Sequence, residues 1–68
     1  MFMKGTVKKF DLQRGYGFIT SEHEKGDIFF HYSQIKGEGF KTVAEGQCVE
    51  FTLDHNERGK FAKGIVKL

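Results

Sequence analysis

The chain has 68 residues, 11 lysines and arginines against 9 aspartates and glutamates, a formal net charge of +2 and one cysteine. A single cysteine excludes an internal disulfide and a disulfide-stapled secreted fold, and structural zinc, which wants four close ligands, is all but excluded with it. No long apolar run and no signal-peptide pattern is found, so the expectation is one soluble, cytoplasmic domain over residues 1–68, of marginal stability because so short a chain buries only about 60% of its unfolded surface.

The elements read as all-β in chain order, since helical periodicity is hard to find and short alternating runs recur between glycines and charged turns. The first strand covers Met3 to Phe10, and a turn follows from Asp11 to Gly15. The second covers Tyr16 to Thr20, with a polar turn from Ser21 to Gly26. The third covers Asp27 to His31, and a long connection from Tyr32 to Gly46 carries Gly37, Gly39 and Gly46. The fourth covers Gln47 to Leu53, and the fifth Lys60 to Lys67, separated by a turn from Asp54 to Gly59. Five short strands with no edge to spare predict closure into a small barrel.

Alternation assigns the faces. Gly17 and Ile19 share one side of the second strand, Tyr16 and Phe18 the other. Ile28 and Phe30 share one side of the third, Phe29 and His31 the other, while Val49, Phe51 and Leu53 line up in the fourth. The aliphatic sides form the core with Val7, Ile65 and Phe30. Tyr16, Phe18, Phe29 and His31 are left outside on neighbouring strands, where cross-strand partners lie about 5 Å apart, so they make one platform. Ten rings, eight of them Phe, are too many for so small a core. Exposed clustered rings mark a binding site. Flat rings beside cations suit an unpaired nucleic acid, stacking for bases and charge for phosphates. Lysines and arginines collect at the two ends: Lys4, Lys8, Lys9 and Arg14 early, Arg58, Lys60, Lys63 and Lys67 late. Either these solubilise the chain, or the ends meet to form a basic face.

The motifs resemble those of bacterial cold-shock proteins, a single cold-shock domain with an OB-fold barrel. Lys4-Gly5-Thr6-Val7-Lys8 resembles the opening strand of that family, Arg14-Gly15-Tyr16-Gly17-Phe18-Ile19 its first RNA-binding motif and Ile28-Phe29-Phe30-His31-Tyr32 its second. Gly37-Glu38-Gly39-Phe40-Lys41 and Glu45-Gly46-Gln47 resemble the segment that follows. The similarity spans essentially the whole chain, and motifs in this order make it specific. It implies a five-stranded antiparallel OB-fold barrel.

It also implies a nucleic-acid surface on Lys8, Phe10, Arg14, Tyr16, Phe18, Asp27, Phe29, His31, Tyr32, Phe40 and Arg58. Phe18, Phe29, His31, Tyr32 and Phe40 would stack on bases, at about 1–3 kcal/mol each by alanine truncation. Tyr16 and Phe10 would extend the platform. Lys8, Arg14 and Arg58 would attract phosphates or lie over bases. Protonated His31 would bind anions better. Asp27 would either accept hydrogen bonds from base edges or hold Arg14 or a lysine in place. Two departures stand out. The family usually has Trp where this chain has Lys9, which removes stacking area and adds a charge. It often has Pro at Lys60 and a polar residue at Phe61; Phe61 either restores stacking area or packs in the core, and the surface is the expectation.

The resemblance implies a protein that binds single-stranded RNA and DNA with low sequence specificity. It implies an RNA chaperone that needs no ATP or cofactor, with effects on transcription termination and translation at low temperature. A monomer with no membrane partner and no small-molecule substrate is expected. Three other readings fit less well. A peptide-docking barrel would bind with little salt dependence. A nuclease would need paired carboxylates, a metal cluster or a nucleophile–base pair, none of which the sequence offers, and Cys48 has no base or acid placed for it. An RNA-recognition-motif domain would need two helices and its aromatic motifs in the opposite order.

Overall fold

The structure is a computed structural model that describes residues 2–37 and 43–68. Its strands are β1 (Phe2–Asp11), β2 (Tyr16–Ser21), β3 (Glu24–His31), β4 (Cys48–Asn56) and β5 (Gly59–Lys67), with a 3-10 turn at Tyr32–Gln34 after β3. They close into a barrel in the order β1-β2-β3-β5-β4. The pairings β1–β2, β2–β3, β1–β4 and β4–β5 are antiparallel. The closing junction β3–β5 is parallel, with Phe29 opposite Phe61. That direction follows from the other pairings: successive antiparallel steps leave β3 and β5 both running in the direction of β1, so where they meet they are parallel.

Two turns are tighter than the sequence suggests. β3 begins at Glu24, three residues before Asp27, so β2 and β3 meet with Ser21 opposite Glu24. The polar run there carries no apolar alternation that would mark it as strand. The β4–β5 hairpin likewise extends to Asn56 opposite Gly59, with the Arg58 N–H donating to Asn56 Oδ1 at 2.8 Å.

The inward faces make one apolar core. Ile19, Ile28, Phe30, Val49, Phe51, Ala62 and Ile65 are fully shielded, with Val7, Ile35 and Val43 beside them. Burying each large side chain of this kind stabilises by about 1.5–3 kcal/mol. β1 closes on β2 through a bulge: Val7 pairs with Ile19, but the next pair is Lys9 with Phe18. Lys8 is the extra residue, and one extra residue inverts the alternation beyond it. Hence Lys9 joins the outward side of Phe18, and Phe10 joins the inward side of Gly17. Gly17 is needed there. A Cβ on it would stand 2.8 Å from Phe30 Cζ and clash still harder with the Lys9 carbonyl.

Candidate nucleic-acid interface

The outward faces of β2 and β3 present a patch of rings. Tyr16 lies opposite His31, and Phe18 opposite Phe29. The ring centroids of Phe29 stand 5.7 Å from Tyr16 and 6.1 Å from Phe18, and Tyr16 meets Phe18 edge-on at 6.2 Å. These are contact distances for tilted and T-shaped aromatic pairs, so the rings brace one another. Phe29 nevertheless remains 40% exposed, while Tyr16 and Phe18 are half-buried. Their inward neighbours explain the orientation: Ile19, Ile28 and Phe30 fill the core and leave the alternate side chains only the outer surface.

A second pair of rings adjoins the first. His31 and Tyr32 lie 4.7 Å apart, and Tyr32 is 46% exposed. The Ser33 N–H donates to His31 Nδ1 at 3.2 Å, which makes that nitrogen an acceptor and leaves the ring proton on Nε2. The Ser33 hydroxyl sits 2.9 Å from the same Nδ1. Tyr32 is anchored through its N–H, which donates to the Gly15 carbonyl at 2.7 Å. Gly15 has φ +76, and a Cβ there would stand 2.7 Å from Tyr32 Cδ1. Only glycine both adopts that backbone and admits the ring.

Cations edge the patch, several of them held by carboxylates. Lys8 Nζ donates to both oxygens of Asp27 at 3.3 Å, so of the alternatives for Asp27 the structure displays the lysine anchor. Arg14 Nη1 donates to the Tyr16 hydroxyl at 3.4 Å, and Arg14 Nε faces Asp11 at 3.8 Å. The Tyr16 hydroxyl first, then the Asp11 carboxylate, raises the Arg14 pKa above its ordinary value and keeps the guanidinium charged. Asp11 is a residue that motif and pattern leave without a role. Its Oδ1 accepts from the N–H groups of Gln13 and Arg14 at 3.1 and 3.2 Å, which shapes the turn that delivers Arg14. An aspartate opening a polar turn is the signal that could have found it.

The two basic ends lie largely on β1 and β5, which do not pair with each other. β5 lies between β3 and β4, and β1 between β2 and β4. Lys60 instead reaches β3, where it meets Glu24 at 3.6 Å and donates to the Lys25 carbonyl, and Lys63 Nζ donates to Asp54 at 2.8 Å. Surface pairs of this kind are worth about 0–1 kcal/mol.

Other expected residues are placed as follows. Lys9 stands outward beside Phe18. Phe61 is half-buried, in register with Phe29. Arg58 is exposed in the β4–β5 turn. Phe10, expected on the platform, stacks on the buried Phe30 instead, with centroids 5.7 Å apart and planes at 12°, because the bulge at Lys8 turns it inward. Phe40 lies outside the described residues. Among the described residues no cluster of His, Cys, Asp and Glu could hold a metal, and no helix is long and apolar enough to cross a membrane.

Known proteins resemble this chain in sequence and in fold. The family described as "'Cold-shock' DNA-binding domain" matches residues 3–68. The "Cold shock-like protein" of Thermotoga maritima is 54% identical over 63 residues, covering 93% of this chain and 94% of that one. "Probable cold shock protein A" of Mycobacterium tuberculosis is 45% identical over 65 residues, covering 96% of this chain and 97% of that one. Among solved structures, "drosophila Unr CSD456" superposes on the whole chain with a TM-score of 0.85 at 24% identity, and the chain spans 27% of that protein's length. At that identity the likeness is one of fold.

Proposed function

The chain belongs to the cold-shock DNA-binding domain family, and from that premise we propose that it binds single-stranded RNA and DNA with little sequence preference. The observation that carries this reading is the outward patch of Tyr16, Phe18 and Phe29, braced ring against ring yet open to solvent. Bases stack on Phe18, Phe29, His31 and Tyr32. Lys8, Lys9, Arg14 and Arg58 attract the phosphates. Stacking tolerates any base because every base has a π-face, and charge attraction ignores sequence altogether.

A chaperone action follows from mass action. A protein that binds only the open strand shifts a weak hairpin toward its open form by its differential affinity, and it needs no ATP. The protein is a cytoplasmic monomer with no enzymatic step of its own, and it influences transcription termination and translation by keeping RNA unpaired.

The test is titration with oligo-dT and oligo-U, following ring protons by NMR across a salt series. Shifts at Phe18, Phe29 and His31 together, with affinity falling steeply as salt rises through counterion release, are expected. Shifts confined to lysine-rich turns would reduce the interaction to charge attraction. Salt-independent binding of a hydrophobic peptide at the same rings would overturn the reading.

A further inference from the structure

We propose that Phe61 is an additional base-stacking position on β5, so that a bound single strand continues past β3 and makes one more stack than β2 and β3 offer. This rests on the reading above and extends it by one subsite.

Register supplies the argument. Phe29 has Phe18 opposite it on β2 and Phe61 opposite it on β5. Side chains opposite one another in a sheet leave it on the same side. The neighbour of Phe61, Ala62, is fully buried and pairs with Leu53, so Phe61 faces outward by alternation. Among the described residues, Phe61 is neither in the buried core cluster nor with Met3, Phe10 and Leu53, which pack against it. A ring so placed is half-buried and faces the outer side of the barrel. Three phenylalanines therefore stand on three adjacent strands, whose backbones run about 4.8 Å apart.

The residues at the two ends of this row set its limits. Lys9 lies opposite Phe18 on β1, and Asp54 lies opposite Phe61 on β4. The row thus reads cation, ring, ring, ring, carboxylate around the barrel. Phosphates are drawn toward the Lys9 end. Asp54 repels them at the other, partly offset by Lys63, which donates to it at 2.8 Å. The strand passes over Phe61 and stops there.

The experiment measures affinity for oligothymidylates lengthened one nucleotide at a time, within the roughly 4–16 nucleotides an OB-fold covers. The wild type, Phe61→Ala, Phe61→Tyr and Phe29→Ala are compared. Wild type and Phe61→Tyr should gain affinity through one more nucleotide than Phe61→Ala. At the longer lengths Phe61→Ala should bind about 5- to 150-fold more weakly, and at the shortest equally well. In the wild type, Phe61 ring protons should shift with long oligonucleotides and not with the shortest, a readout that holds even if Phe61→Ala folds poorly. Equal losses at every length, or no loss at any, would overturn the inference while binding by the wild type and weakening by Phe29→Ala left the function intact. Failure of the wild type to bind any oligothymidylate would overturn both.

Discussion

β2 and β3 carry apolar side chains on both faces, and the two faces differ in how far water reaches them. On the inner face Gly17, Ile19, Ile28 and Phe30 are buried, and Phe30 is stacked by Phe10. On the outer face Tyr16, Phe18 and Phe29 touch one another as closely, but solvent reaches them. Both faces are apolar, so hydrophobicity does not separate structure from function here. Enclosure does. Phe30 contributes to stability because it leaves water on folding. Phe29 leaves part of its ring in water and can gain that burial later, from a base.

Substitutions should pull the two faces apart. Phe30→Ala should have the largest effect, a loss of about 3–5 kcal/mol in denaturant unfolding, enough to leave so small a domain largely unfolded. Phe29→Ala should lose about 1–3 kcal/mol of affinity for oligo-dT while its unfolding midpoint stays close to wild type. An equal loss of stability in the two variants would erase the distinction between faces. Lys9→Trp sharpens it at the outer edge: affinity should rise and the salt dependence should flatten, its slope falling by about 0.7 for a single-strand phosphate that Lys9 no longer neutralises. Unchanged affinity and slope would show that the residue beside Phe18 takes no part.

The smallest effect concerns acid. The bond from Lys63, then the backbone N–H of His55, holds the Asp54 carboxyl below its ordinary pKa. A depressed folded value means the stabilisation is complete above the unfolded pKa of about 3.9 and fades as pH falls through the lower folded value. Asp54→Asn should therefore melt slightly below wild type near neutrality, with the gap closing under acid. A gap of constant size down to the acid limit would contradict this assignment.

The inner and outer sets of β2 and β3 are legible in the chain, because Tyr16-Gly17-Phe18-Ile19 and Ile28-Phe29-Phe30-His31 alternate cleanly and period two needs no tertiary information. The family resemblance is legible too, from motif order. Phe10 departs from expectation for a definite reason. The resemblance places Phe10 on the platform, but the bulge at Lys8 turns it inward, and that bulge cannot be counted from the residues alone. Asp27 likewise has several possible partners in the sequence, and Lys8 becomes its partner only when β1 and β3 come to flank β2.

Local pattern is thus sufficient for what the backbone period enforces: strands, their two faces, and rings set apart from aliphatics. Barrel closure adds what depends on distant segments meeting. It sets the inverted phase of Lys9 and Phe10, the row in which Phe18, Phe29 and Phe61 stand side by side, and the carboxylate that ends that row. Side-chain alternation is a property of one strand, whereas register is a property of two, and no single stretch of chain contains it.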